Sequence, residues 1–297
     1  MLTCEFPHYK APFFQFNPAQ SAVVPFLCED CNLVVSFPTA SGKTILAECC
    51  FGFHLAGEGR VAYVAPFRSL AREKFEAWSE DGQLNQHGVA LCAGDSPLDA
   101  HTLAASRLVV FTLESFDSKL RRGPLRGWFE ELVCVCFDEA QIVGTERGPT
   151  MEVALMSVSE MAPNARFVLL SGTMGNAKKL ASWVKSLNAK PTKCCVSSWR
   201  QNPLEVFVHG TEDFSEQIDK VLELCSAGGK TVVFVHSKAT GRKIAKRLIA
   251  AGRMTAFHNA SLSAKKKRDI ERRFSEPFSG LNVLVSTSTL GAGVNIG

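Results

Sequence analysis

The chain has 297 residues, 46% hydrophobic and 21% charged, with a formal net charge of +4. That is the length of about two domains, each with its own core, and the composition of an ordinary globular α/β protein. No uncharged run approaches the roughly 18 residues a spanning helix needs, and Glu5, Pro7, His8 and Lys10 come too early for an apolar signal core, so neither a membrane span nor a secretory leader is expected. The modest positive charge suits an anionic partner without requiring one. Eleven cysteines with no signal sequence point to free thiols in a reducing compartment, cytoplasm or nucleus.

Cys28-Glu-Asp-Cys31 is the one C-x-x-C. No second such pair or Cys/His hairpin completes a tetrahedral zinc site, so it reads as the small-residue closure of a helix–strand turn. Leu33–Phe37, rich in β-branched and aromatic side chains, reads as a short buried strand that Pro38 stops. Gly42-Lys43-Thr44 then opens an amphipathic helix. Strand, tight turn (Thr39, Ala40, Ser41, Gly42) and helix make a cradle whose backbone N–H groups and helix dipole favour phosphate. Lys43 is placed to reach the β- and γ-phosphates of a nucleotide and Thr44 to ligate Mg²⁺. The Gly that usually opens such a loop is here Phe37.

Further strands are expected at Val61–Ala65, Val89–Cys92, Leu108–Thr112, Leu132–Phe137 and Phe167–Ser171, then Val206–His209, Thr231–Val235 and Asn282–Thr287. Helical patterns fall between them at Ser69–Trp78, Ser115–Arg121, Met151–Met161, Ala177–Leu187, Ser215–Cys225, Gly241–Ala251 and Ala264–Phe274. Near-continuous apolar strands alternating with helices imply parallel sheets covered on both faces. The polar stretch Ser197–Pro203 marks a seam, giving domains at 1–203 and 204–297.

Leu132–Phe137 ends in Asp138-Glu139-Ala140-Gln141. A carboxylate at a strand tip beside the phosphate loop is where Mg²⁺ is held in such folds, so Asp138 is the second metal candidate and Glu139 the group to orient and deprotonate an attacking water. Ser171-Gly172-Thr173, leaving the next strand, is suited to sensing a γ-phosphate. Cys134 and Cys136 alternate along a buried strand and read as core. Lys265–Arg268 with Arg272 and Arg273 form a basic run, but Ile270 and Phe274 interleave at helical spacing, which makes it a solvated face over an apolar one. Trp78, Trp128 and Trp183 read as packing residues.

With these loops in place the chain resembles a superfamily-two helicase core, and more narrowly the Ski-like DExH branch that includes the Hel-type repair helicases. Phe16-Asn-Pro-Ala-Gln20 resembles the Q-motif region, and Phe37-Pro-Thr-Ala-Ser-Gly-Lys-Thr44 is similar to the branch's motif I, which also lacks the leading Gly. Tyr63–Lys74 looks like motif Ia, Gly94-Asp95 like its Gly-Asp loop and Thr112–Asp117 like motif Ib. Asp138–Gln141 fills motif II, with Gln141 where the branch normally has His, and Arg147-Gly-Pro-Thr-Met-Glu152 is similar to the segment after it. Ser171-Gly-Thr173 stands for motif III, Val233–Lys238 for motif IV, and Phe257–Leu262 and Val285–Asn295 for the next block and motif V.

The resemblance implies two RecA-like P-loop domains with parallel sheets, the second incomplete. It implies ATP and Mg²⁺ as cofactors, held between the lobes, with Gln20 reading the adenine edge. Catalytic roles fall to Lys43, Asp138, Glu139 and Gln141, and coupling to Ser171, Gly172, Thr173 and Gly293. Single-stranded or forked nucleic acid, DNA favoured over RNA, would be gripped by Pro66, Arg68, Gly94, Thr112, Ser237, His258, Thr287 and Thr289, with 3′→5′ movement by a monomer. Glu114 is expected to cap the helix it opens. The chain stops at Gly297 before motif VI and its arginine finger, which implies weak turnover and either a piece of a longer protein or a naturally truncated one. Two other readings are a module that binds nucleotide and nucleic acid with little turnover, and a P-loop ATPase unrelated to nucleic acid.

Overall fold

The computed structural model describes residues 3–6, 8–94, 99–121, 125–211, 213–225, 229–287 and 290. A hairpin of β1 (Thr3–Phe6) and β2 (Tyr9–Gln15) leads into a single helical turn, α1 (Pro18–Ser21). There follow β3 (Asn32–Ser36), α2 (Lys43–Leu55), β4 (Arg60–Ala65), α3 (Arg68–Glu80), α4 (Gly82–Asn85), β5 (Val89–Cys92), α5 (Ala100–Ala105) and β6 (Leu108–Thr112). Then come α6 (Leu113–Arg121), α7 (Arg126–Glu130), β7 (Leu132–Phe137), α8 (Gly148–Met161), β8 (Arg166–Ser171), α9 (Ala177–Asn188) and β9 (Thr192–Val196). Seven strands form one parallel sheet in the order β5-β6-β4-β7-β8-β3-β9.

The apolar runs are near-continuous because both faces of this sheet are covered. Successive side chains alternate between faces. Leu33, Val35, Tyr63, Cys134, Cys136, Val168 and Leu170 join Phe16, Leu46, Phe51 and Trp78 on one side. Val34, Val64, Val135, Phe137, Phe167 and Leu169 join Phe116, Phe129, Met151 and Leu155 on the other. The second face includes edge-to-face rings, Phe116 against Phe111, Phe129 and Phe137 at 5.1, 5.5 and 5.7 Å. Each such side chain contributes about 1.5–3 kcal/mol of burial, and together they hold the strand tips rigid beneath the loops.

A second compact unit starts at Glu205. It comprises α10 (Phe214–Leu224), β10 (Thr231–Phe234), α11 (Lys238–Ala250), β11 (Thr255–His258), α12 (Ala264–Ser275) and β12 (Val283–Ser286), with a parallel sheet in the order β10-β12-β11. Its core is smaller, centred on Ile218, Ile244, Leu248, Val283 and Val285, with Phe274, Leu281 and Leu284 on the opposite face. Phe274 is buried on the apolar side of α12, while Arg272 lies outside, paired with Asp269 and Glu276.

The strand expected at Val206–His209 is not one. The segment is irregular and open to solvent, with Val206 76% and Val208 91% exposed. Its apolar run carries β propensity, but among the described residues no strand supplies a ladder for its backbone. Conversely β9, β11 and the hairpin go beyond the expected strands. β9 is only half-buried at a sheet edge, where the sequence signal of burial fades. No helix among the described residues is long and apolar enough to cross a membrane.

Candidate functional site

The loop between β3 and α2 turns on two left-handed residues, Ala40 (φ 60°) and Gly42 (φ 74°). At Gly42 a Cβ would also lie 2.4 Å from Gln20 Nε2, so a side chain there would be strained and would displace the Gln20 amide from the loop. α1 holds the loop from outside: Asn17 Nδ2 donates to the Ser41 carbonyl and Gln20 Nε2 to the Gly42 carbonyl, each at 3.0 Å. In a planar trans peptide the following N–H points opposite the carbonyl, so the amides of Gly42 and Lys43 face away from α1 at the α2 N-terminus. Gln20 is buried, and its Oε1 accepts from the Asn17 N–H at 3.0 Å. One donor and one acceptor of its amide are thus engaged in shaping the loop.

Lys43 Nζ donates to the carbonyls of Phe37 (3.3 Å) and Pro38 (3.1 Å) across the cradle. Burial pushes its ammonium below the usual lysine range, and the facing Glu139 and Asp138 carboxylates oppose that. Thr44 sits half-buried in the first turn of α2, and Thr39 and Ala40 are exposed. Ser41 is 1% exposed, and its Oγ has no hydrogen-bond partner among the described residues. A buried hydroxyl left unpaired is costly, and in a ring of amides beside an ammonium the group that fits it is an anion such as phosphate.

Asp138 leaves β7 into the same space, with Oδ1 accepting from the Glu139 N–H at 2.8 Å and Oδ2 from the Tyr63 hydroxyl. Burial, then Asp138, pushes the Tyr63 phenol far above its ordinary value, so it stays a donor. Glu139 adopts left-handed φ 52°, a strained conformation for a residue with a side chain. Gln141 Nε2 donates to Glu139 Oε2, while its Oε1 accepts from Ser171 Oγ and the Gly172 N–H, both at 2.9 Å. Ser36 Oγ donates to the Gly172 carbonyl and accepts from the Met174 N–H, each at 3.0 Å, tying the exits of β3 and β8 together. Thr173 is exposed at the rim. Lys43, Thr44, Asp138, Glu139, Gln141 and Ser171-Gly172 therefore gather at the C-terminal ends of β3, β7 and β8, where ligands bind in open parallel sheets.

A second cluster lies at the tips of β4, β5 and β6. Arg68 begins α3, and its guanidinium packs so closely on left-handed Gly94 that a Cβ there would come within 2.4 Å. The Gly94 N–H donates to Ser115 Oγ at 3.0 Å, and Thr112 Oγ1 donates to the same oxygen at 2.9 Å. Pro66 is buried, its carbonyl accepting from Arg147 Nη2 at 2.6 Å. Arg147 also pairs with Glu114, in the first turn of α6, and lies over the Phe67 ring at 5.3 Å.

In the second unit Ser237 caps α11, accepting from the Thr240 N–H at 3.0 Å. His258 is 1% exposed with Nε2 3.0 Å from Glu271 Oε1 and its carbonyl accepting from the Thr287 N–H at 3.2 Å, so its side chain is not presented to a strand. Burial lowers the imidazole pKa against the pull of Glu271. Thr287 is buried. Asp95, Thr289 and Gly293 lie outside the described residues.

Tyr63, Asn17, Ser36, Ser115 and Arg147 hold the site together without having stood out by type. The hints were the places of Asn17, Tyr63, Ser115 and Arg147 within the motif segments and, for Tyr63, a hydroxyl inside an apolar strand that needs a partner. Cys31 is buried with Sγ 3.8 Å from the Phe26 carbonyl, at the turn into β3. Trp78 and Trp128 are buried, their indole N–H groups donating to Glu48 Oε1 (2.8 Å) and the Ser106 carbonyl (3.0 Å). Trp183 packs partly buried on the second face of the sheet.

The DEAD/DEAH box helicase profile matches residues 17–180, and that of the helicase conserved C-terminal domain matches 215–297. The ATP-dependent DNA helicase Hel308 of Methanocella arvoryzae is 27% identical over 95% of this chain and 44% of the relative. The ATP-dependent DNA helicase MER3 of Saccharomyces cerevisiae is 30% identical over 96% of this chain and 27% of the relative. The chain thus spans less than half the length of these relatives. Mycobacterium smegmatis helicase Lhr, solved with single-stranded DNA and AMP-PNP, aligns at TM-score 0.72 and 22% identity over 97% of this chain and 41% of that one. Helicase MrfA, solved with DNA and AMPPNP, aligns at 0.77 and 20% over 96% and 43%. The fold shared with these structures is two RecA-like units, here with the smaller sheet in the second.

Proposed function

This chain belongs to the DEAD/DEAH box helicase family, and from that premise we propose that it hydrolyses ATP to move along a nucleic-acid strand. The observation that carries this reading is the convergence of Lys43, Asp138 and Glu139 on one cradle, with Gln141 joining Glu139 to Ser171-Gly172. Lys43 would leave the Phe37 and Pro38 carbonyls for the β- and γ-phosphates, which the amides of the loop also bind. Thr44 and Asp138 would hold Mg²⁺, whose charge there offsets that of the phosphates. Tyr63 keeps Asp138 oriented. Glu139 would orient a water and take its proton. Because the Gln141 amide touches Glu139 and the β8 tip at once, loss of the γ-phosphate would be felt at both.

Arg68, with Gly94 and Thr112 at the neighbouring strand tips, suits a phosphate backbone contacted without regard to sequence. DNA is favoured over RNA, supported by relatives named as DNA helicases. The finer placement in the Ski-like DExH branch rests on Arg147–Glu152 and on those relatives. Single or forked strands, 3′→5′ movement by a monomer and a reducing cytoplasm or nucleus complete the proposal.

ATP hydrolysis measured with and without single-stranded DNA or RNA tests it. We expect single-stranded DNA to raise turnover and Lys43→Ala to lower the stimulated rate on the order of 100-fold. A rate that Lys43→Ala leaves unchanged refutes the motor. Nucleotide and strand binding with no turnover that depends on Lys43 establishes the binding-module reading instead.

A further inference from the structure

Beneath the phosphate loop the fold gathers three ligand-type atoms that nucleotide chemistry leaves unused. Cys50 and His54 stand at i and i+4 on α2, hence on one face of the helix. Cys134 meets them from β7. The two sulfurs are 3.8 Å apart, and the three donor atoms lie within 4.8 Å of one another. Both cysteines are 0% exposed. His54 Nε2 is itself buried, with no hydrogen-bond partner among the described residues. The Cys50 thiol is within reach of the imidazole, and a buried ring nitrogen with no better partner than a thiol is one that a further ligand can satisfy.

We propose that Cys50, His54 and Cys134 form a buried three-coordinate site for a monovalent, thiophilic d¹⁰ cation, Cu(I). Two thiolates and an imidazole are soft donors, which suit Cu(I) and Zn²⁺ over harder ions. With metal–sulfur bonds of about 2.3 Å, two sulfurs on one ion stand about 3.8–4 Å apart, as these do before any ion is added. Structural zinc takes four ligands. Here the ligand group among the described residues has three members, and burial of both sulfurs and of the imidazole nitrogen keeps water from a fourth position.

Charge points the same way. Arg166, 1% exposed, is buried near these thiols, its guanidinium donating to the Phe26 and Leu27 carbonyls and lying 3.9 Å from Cys31 Sγ. Two thiolates and one guanidinium sum to a single negative charge. A monovalent ion brings that buried cluster to neutrality, whereas a divalent one leaves a net positive charge in the core. Binding exchanges the thiol protons of Cys50 and Cys134 for the metal and releases them to solvent, with no change of oxidation state.

The location gives the site consequence. Cys50 is seven residues, or about 10 Å along the helix, from Lys43, and Cys134 is on the strand that ends in Asp138. An ion there would fasten the phosphate-loop helix to the strand carrying the magnesium-binding carboxylate.

The test uses the whole reduced chain under anaerobic conditions. Cu(I) is titrated against the colorimetric chelator bicinchoninate, with Zn²⁺ titrated in a parallel arm. We expect the wild type to withhold one more equivalent of Cu(I) than His54→Gln or Cys134→Ala, and X-ray absorption to show two sulfurs and one nitrogen on the ion. A hundredfold excess over Kd should raise Tm by about 5 °C or more in the wild type alone. Cys28→Ala with Cys31→Ala should leave that equivalent in place. His54 is partly exposed, so His54→Gln decides the matter even if Cys134→Ala does not fold. Equal Cu(I) retention in the wild type and His54→Gln overturns the proposal, as does retention of Zn²⁺ without Cu(I).

Discussion

The two units solve the same packing problem to different depths. In the first, β3, β6 and β8 are buried at every position because helices seal both faces of a seven-stranded sheet. In the second, β10 and β11 are largely half-buried on either side of β12. Backbone strain follows that division. The first unit places side-chain-bearing residues in the left-handed region at His8, Ala40, Glu139 and Ala189, of which Ala40 and Glu139 are in the nucleotide site, whereas the left-handed residues described in the second unit are glycines: Gly229, Gly252 and Gly280. Such strain persists where the surroundings over-determine the backbone, and the deep core of the first unit does that.

The largest expected difference lies in the cores. Phe116→Ala, which empties a space among three other aromatic rings, should destabilise the first unit by about 3–5 kcal/mol. Phe257→Ala, from a half-buried strand, should cost the second about 1–2 kcal/mol. Denaturant midpoints for each unit's transition check this, and equal losses would break the contrast. A smaller effect, of opposite sign in the two units, concerns the turns. Ala40→Gly should stabilise the first by up to about 1 kcal/mol by relieving a left-handed alanine, while Gly252→Ala should destabilise the second by about as much. Thermal melts of the two variants give the comparison.

The smallest effect is a pair of opposed pH slopes. In the first unit burial holds the Glu48 carboxyl above the usual range despite donors from Trp78 and Tyr9 and the nearby Lys74. Its fold therefore favours the protonated acid, and that contribution is full below about pH 4.3 and is lost as pH rises through the raised value. In the second unit burial holds His258 below the ordinary imidazole value. Its contribution is present above about pH 6.5 and is lost as pH falls through the lowered value. Stability measured from pH 4 to 8 for Glu48→Gln and His258→Gln should show each slope flattened. A slope that either variant retains assigns it to another group.

Much of the first unit is written in its residues. Near-continuous apolar runs in Leu33–Phe37 and Leu132–Phe137 encode strands with two covered faces, and Gly42-Lys43-Thr44 and Asp138-Glu139 stand where turns must bring them together. Local pattern fails where partnership decides. Val206–His209 has strand-forming side chains but no ladder among the described residues, whereas Thr192–Val196, with Lys193 in its midst, becomes a strand because β3 offers it one. The same holds within the site. Tyr63 and Asp138 are distant in sequence, and their hydrogen bond depends on the register that sets Tyr63 beside Cys136 across β4 and β7. Cys50 and His54 show their helical spacing in the sequence, but Cys134 joins them only through tertiary packing.

The carboxamide at position 141 carries one further meaning. One end of that group can only give a proton to a hydrogen bond and the other can only receive, and neither ionises in any physiological medium. An imidazole in its place would surrender its receiving nitrogen on acidification and let go of the serine and glycine beyond it. The carboxamide's part of the link from Glu139 to the β8 tip is therefore blind to acidity, a wire whose polarity is fixed by covalent structure.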